Sequence, residues 1–234
     1  LMSISIIDLS IPVTAPHFRL PTPLDVSPPY SDAAPFQVTR LSLSCHSFTH
    51  VDAQRHMLPD SPTIDTTPPA DVAGPAFVAN LRDVTPNEKI DAARIDAALA
   101  GYSGEPIILL STAWDTQRDW TTAEYWRDAP FITRDGAEAL ARRTPTAVAF
   151  DFPQDYTIRL SLEGIVPPIN EHVTHDVLLR RGVTLIEYLI GTAALAVHRT
   201  FLCALPLKIE GADGAPARVV AFTGDGFSGK GPSA

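Results

Sequence analysis

Two cysteines, Cys45 and Cys203, are all that the 234 residues contain. Two thiols cannot build a disulfide framework, and free thiols predict a reducing, cytoplasmic setting. There is no apolar run of ~18 residues, so no transmembrane helix is expected. No basic, apolar, then small-residue order stands at the N-terminus, and no secretory signal is read there. There is no block of Lys or Arg, and the net charge is −9. Nucleic acid and anionic membranes are therefore poor partners, and a small-molecule substrate is the expected one. No Gly-x-Ser-x-Gly elbow occurs, which argues against a serine hydrolase. Residues 224–231 imitate a phosphate-binding loop, but the final Ser or Thr is missing and no room for a helix follows. Residues 223–234 read as a flexible, Gly-rich tail.

What is present is an ordinary globular composition, 45% hydrophobic and 19% charged, with 22 prolines. At roughly 150 residues per domain the length allows one large domain or two small ones, and residues 3–222 read as a single domain. Strands are expected over residues 3–13, 36–45, 76–81, 106–110, 146–150 and 183–189. A Pro-rich arm covers residues 12–35, and a long loop covers 52–75. A capping box at Thr85 and Glu88 predicts a helix ended by Gly101. Further helices are expected over 137–143 and 170–181, the latter stopped by Gly182. Residues 205–210 and 218–222 read as a hairpin around a Gly-Ala-Asp-Gly turn. The balance points to a mixed α/β domain rather than a regular doubly wound one.

Five of the seven histidines fall in two short segments. The first runs His46-Ser-Phe-Thr-His50-Val-Asp52-Ala-Gln-Arg-His56. Neutral imidazole and carboxylate are good donors to zinc or manganese. On a straight strand, residues four apart are ~13 Å apart, too far to share one ion. His46 and His50 therefore converge only if the chain breaks into a tight turn between Cys45 and His50. In the second segment His175 shares a helix face with Leu178 and Leu179. Glu187 has the strand parity of Val183, Leu185 and Leu189, which places a carboxylate on an apolar face. Such a group must be protonated, paired with a cation or bound to a metal.

The pattern His46-x-x-Thr-His50-x-Asp52-x-x-x-His56 resembles the signature of the metal-dependent cyclase family, which includes bacterial kynurenine formamidase and isatin hydrolase. His175, Leu178-Leu179, Gly182 and Glu187 are similar to the family's second ligand segment, and residues 205–218 resemble its C-terminal hairpin. The resemblance implies a swivelling β/β/α-type cyclase fold, with a central mixed or barrel-like sheet and flanking helices. It implies a divalent metal, zinc or manganese, with one or two ions per subunit. His46, His50 and Asp52 would hold a first ion. His175 and Glu187 would complete a second position, with Asp52 or Glu187 near both ions, and His56 would be the acid/base rather than a ligand. The implied reaction is metal-assisted hydrolysis of a C–N bond in an amide, aryl formamide or lactam. A cyclase or lyase reaction on a polyketide-like or hydroxy-acid substrate, or a non-catalytic metal-stabilised protein, is the alternative. The family also implies a homodimer or homotetramer.

Two positions depart from the signature: Phe48 replaces a Gly and Gln54 replaces a Pro. If that Gly needs φ > 0, Phe48 bears a backbone cost, and its ring should lie against substrate or core. Phe48, Gln54 and Trp114 are the expected substrate-binding residues, with Phe18 and Tyr30 as further candidates for an apolar wall.

Overall fold

The computed structural model describes residues 4–26 and 35–224. Its centre is a nine-stranded mixed sheet in the order Ser5–Asp8, Val220–Thr223, Arg199–Cys203, Ala73–Asn80, Ile107–Ser111, Ala147–Phe150, Thr184–Glu187, His50–Asp52 and Gly214–Pro216. The four strands from Ala73–Asn80 to Thr184–Glu187 run parallel, and every other pairing is antiparallel.

The order of strands dictates the curvature. Gly214–Pro216 lies at one edge and Val220–Thr223 next to the other, yet only residues 217–219 join them. Laid flat at ~4.8 Å per strand, those positions would be tens of ångströms apart, so the sheet has to curl on itself. Ser10 bridges Leu189 across the closure, Leu9 N–H donates to Val219 O at 2.9 Å, and Ile190 N–H donates to Leu9 O at 3.0 Å.

Alternation sorts the side chains into two cores. Ala76, Val78, Ile107, Leu109, Ala147, Ala149 and Ile186 meet residues of the other strands on one face. Phe77, Ile108, Leu110, Val148, Phe150 and Leu185 face the other way, against helices that contribute Ile95, Tyr125, Trp126, Leu140 and Leu178. Central strands buried on both faces read as continuous apolar runs, which is why residues 106–110 and 146–150 are recognisable as strands.

Several expected elements differ. The helix expected from Thr85 begins later, at Ala92–Ala98, where Asp91 accepts from Arg94 N–H at 2.9 Å. Thr85 and Glu88 do bond one another, but they close a turn. The strand over 36–45 shrinks to Thr39–Leu41, exposed and paired only with Leu24–Val26. The loop over 52–75 begins at the end of the short His50–Asp52 strand and contains the helix Pro69–Val72. The helix over 170–181 is three short pieces, although Gly182 does stop it, at φ 84°. The C-terminal hairpin is reduced to an antiparallel bridge of Pro206 to Ala217; Gly214–Pro216 pairs instead with His50–Asp52, and Val220–Thr223 pairs with a further strand, Arg199–Cys203. Cys45 and Cys203 are both half-buried and free. Residues 225–234, including most of the phosphate-loop imitation and the expected tail, lie outside the described residues, as does Tyr30. No helix among the described residues is long and apolar enough to cross a membrane.

Candidate metal centre

The site lies where the His50–Asp52 strand meets Thr184–Glu187. Antiparallel register sets Glu187 directly opposite His50 and Asp52 opposite Leu185. His50 and Asp52 are two apart and share a face, while Val51 between them enters the other core. The required turn is present: Ser47 N–H donates to Ser44 O at 3.1 Å, and Phe48 takes φ 56°. This left-handed conformation costs a residue with a side chain roughly 1–2 kcal/mol. Thr49 holds the turn, donating to Tyr188 O at 2.6 Å and accepting from Ile11 N–H at 2.8 Å. The turn folds His46 back onto Asp52, with Nδ1 and Oδ1 2.7 Å apart. A Cβ at position 214 would stand 2.8 Å from His46 Cε1, so Gly214 leaves the space this ring occupies.

An inner group is fully enclosed. His50 Nδ1–H donates to Phe48 O at 2.8 Å, which leaves Nε2 3.2 Å from Asp52 Oδ1 and 3.6 Å from Glu187 Oε2. His175 Nδ1–H donates to Asp155 Oδ2 at 2.7 Å, and its Nε2 lies 3.4 Å from both Asp52 Oδ2 and Glu187 Oε1. Glu187 Oε1 also accepts from Gln154 Nε2. Asp52 is 0% exposed, and its Oδ2 makes no hydrogen bond. Burial raises the Glu187 carboxyl above its ordinary range, and the charge of Asp52 adds to this. Burial acts on Asp52 in the same direction, but His50, His175 and His46 overcome it and hold its carboxyl well below the usual value. His175 is likewise opposed by burial, yet Glu187 and the bonds to Asp155 and Asp52 push it well up.

An outer group faces solvent. The rings of His46 and His56 stack at 3.8 Å, and both reach Asp213 Oδ2, His46 Nε2 at 2.9 Å and His56 Nδ1 at 3.4 Å. The His56 side chain is 31% exposed and that of Asp213 45%. Burial would lower His46, but bonds to Asp52 and Asp213 raise it to about 9. Burial lowers His56, with the Asp52 charge opposing.

These residues fit a divalent cation. The ligand atoms of His50, Asp52 and Glu187 lie within 4.8 Å of one another, and so do those of His46, Asp52 and His56. In the inner group each imidazole has its Nδ1 proton committed to a backbone or carboxylate oxygen and aims Nε2 at carboxylates. That is the arrangement by which outer partners fix metal-ligating histidines. Asp52 Oδ2 accepts no hydrogen bond and has only His175 Nε2 beside it, at 3.4 Å, within a fully buried carboxylate that a cation would satisfy. The O/N donor set suits zinc or manganese.

All five expected ligands come together, and Asp52 belongs to both groups. His50 belongs with Glu187, and His175 reaches the same two carboxylates. His56, expected outside the ligands, stands with His46 and Asp52. Of the expected wall residues, Phe18 lines a cavity that includes His46, while Phe48 and Trp114 are buried. Phe48 is 1% exposed, in the core, with its ring 5.7 Å from that of His17. Gln54 Nε2 donates to Arg180 O at 2.9 Å. Trp114 is 0% exposed and donates to Tyr125 O at 2.9 Å. Asp155, Gln154 and Asp213 were not named as site residues. Asp213 lies in the Gly-Ala-Asp-Gly turn and could have been suspected, whereas Gln154 and Asp155 sit in an aperiodic stretch with no such signal.

A curled mixed sheet carrying a buried His/Asp/Glu cluster defines a hydrolase type of scaffold, and similarity to known proteins places it. The Cyclase family model matches residues 7–154, and the chain belongs to that family. It is similar to a kynurenine formamidase from Salinibacter ruber, 30% identical over 81% of this chain and 81% of that protein. A potential metal-dependent hydrolase with cyclase activity superposes with a TM-score of 0.71 at 26% identity, covering 94% of this chain and 98% of the other. An isatin hydrolase bound to the product analogue thioisatinate gives a TM-score of 0.79 at 20% identity over 94% and 93% of the chains, a likeness of fold.

Proposed function

We propose that this protein is a metal-dependent amidohydrolase that cleaves a non-peptide C–N bond in an aryl formamide, amide or lactam. The observation that carries the reading is Asp52: a fully buried carboxylate common to both ligand groups, with one oxygen left without a hydrogen bond. The kynurenine formamidase likeness supports the bond type. Zinc or manganese is the proposed ion. His50, Asp52 and Glu187, with His175, would hold it on the inner side, and His46 with Asp52 would serve an outer position. A divalent ion, when bound, polarises a carbonyl and lowers the pKa of water toward neutrality.

The chain supplies the proton chemistry. His56 Nδ1 faces Asp213, so Nδ1–H donates there and Nε2 stays free. Burial keeps that ring in its neutral form near pH 7. Nε2 therefore accepts the proton of the attacking water and returns it to the leaving nitrogen. Asp155 and Gln154 hold His175 and Glu187 in place.

The test is turnover of formanilide and of an isatin-type lactam before and after chelation. Chelated protein should lose activity and regain it with added zinc or manganese. His56→Gln should retain bound metal by elemental analysis and lose on the order of 10²–10⁴ in turnover. Turnover that survives complete metal removal, or no cleavage of either amide class by the metal-loaded protein, overturns the reading.

A further inference from the structure

A cavity of about 560 Å³ lies beside His46, and the segment Phe18 to Pro21 forms part of its wall. This segment is lightly held. Among the described residues, a single hydrogen bond ties residues 12–22 to the rest of the protein, from His17 Nε2 to Trp120 O at 3.4 Å. His17 is buried at 7% exposure. Its ring stacks on Trp120 at 5.9 Å and stands edge-on to Phe48 and Trp126.

The bonds fix the protonation state of this ring. His17 Nδ1 accepts the backbone N–H of Leu20 at 3.1 Å and that of Arg19 at 3.3 Å. Nδ1 therefore carries no proton, and Nε2–H is the donor to Trp120 O. A second proton would turn Nδ1 into a donor facing two donors. Both backbone bonds would be lost, and the buried ring would have to leave its place, taking the tether with it. The surrounding charges do not relieve this. Arg19, from the same segment, is a cation whose guanidinium lies 4.4 Å over the Trp126 ring. Phe48, Trp120 and Trp126, which pack against the ring from the other elements, bring no charge. Asp119, next to Trp120, is exposed and accepts from the Thr121 N–H and hydroxyl. Glu124 and Arg127, on the helix Ala123–Arg127, are exposed as well. Burial lowers the basicity of His17, the bond to Trp120 O opposes this, and the Arg19 charge adds to the effect of burial.

We propose that His17 is a proton-operated latch: neutral, it holds residues 17–21 against Trp120 as a wall of the cavity beside His46, and protonated, it releases them and opens that side of the cavity. The latch stands on its own bonds and does not depend on the hydrolase reading above. Its direction follows from linkage. The released ring binds a proton with ordinary histidine affinity, and the latched ring binds it more weakly. Closure is therefore complete above pH ~6.5 and is lost as pH falls below it.

The experiment follows hydrogen exchange of the Arg19 and Leu20 amides from pH ~8 to pH ~5, with and without added zinc, together with the proton NMR shift of the His17 ring. Wild-type protection, corrected for intrinsic exchange, should be level above pH ~6.5 and fall by up to about tenfold per pH unit below it, with zinc or without. His17→Asn keeps an acceptor oxygen in the place of Nδ1 and has nothing to titrate, so its protection should be level throughout. His17→Ala should leave both amides unprotected at every pH. Level protection in wild type, a fall seen only with zinc, a fall that persists in His17→Asn, or a ring that takes up its proton while both amides stay protected overturns the latch.

Discussion

The two halves of the candidate metal centre are built by different rules. The inner half stands mostly on sheet register: His50 opposite Glu187 and Asp52 two residues along, with His175 brought up from a helix. Each of its imidazoles has one nitrogen committed to a fixed acceptor. The outer half stands on loops and edges. His46 comes from a strained turn, His56 from the short helical turn Gln54–His56, and Asp213 from the residue before an edge strand. Its side chains are partly open to water, and one carboxylate oxygen serves two rings. An enclosed half with locked tautomers is suited to holding charge. An open half whose rings share an acceptor is suited to exchanging protons with solvent and substrate. Asp52 belongs to both halves.

That division can be broken by experiment. The largest effect is expected from Asp52→Asn, which removes the charge common to both groups. Metal content should fall at both positions, and turnover should drop by on the order of 10³ or more, consistent with loss of a metal-supplied nucleophile. If elemental analysis finds one ion fully retained, the halves are independent. Asp155→Asn tests the inner half alone. It frees the His175 ring without touching His46 or His56, and metal affinity should fall roughly 10- to 100-fold by competitive chelator titration.

The third test separates the halves by pH. His46 in the metal-free protein is raised to about 9, so it carries a proton at neutral pH that a cation must displace. Affinity at the outer position should therefore climb up to about tenfold per pH unit between the ordinary histidine value and 9, then level off. The same shift has a sign for stability. The native state holds this proton more tightly than the unfolded chain does. Its contribution, up to about 3 kcal/mol, is complete below pH ~6.5 and is lost as pH rises through 9. Calorimetric melting of metal-free protein across that range checks it. A flat profile would mean that Asp213 and Asp52 do not hold His46 charged.

Much of this site was legible because its chemistry is local in the chain. The spacing of His46, His50, Asp52 and His56 sits within eleven residues, and the need for a turn before His50 follows from strand geometry alone. Strand parity alone placed Glu187 in an apolar environment, and it is buried. Phe48 shows both sides of such reasoning: the positive φ implied by the replaced glycine is there, but the ring went to the core rather than to substrate. The strand His50–Asp52 is three residues long and stabilised by neighbours 133 or more residues away, as in Leu185 with Asp52, so no local pattern marks it. Trp114 had no periodic cue to say that Tyr125 would take its indole N–H.

The bond between His46 and Asp213 joins residues 167 positions apart. Such separation is slow to close in folding, because chain entropy is lost before the contact repays it. A ribosome-bound chain that has delivered all its histidines still lacks the last acceptor and the glycine beside it. The sheet cannot close until that late segment arrives, so full cation affinity should be acquired as one of the final events of folding.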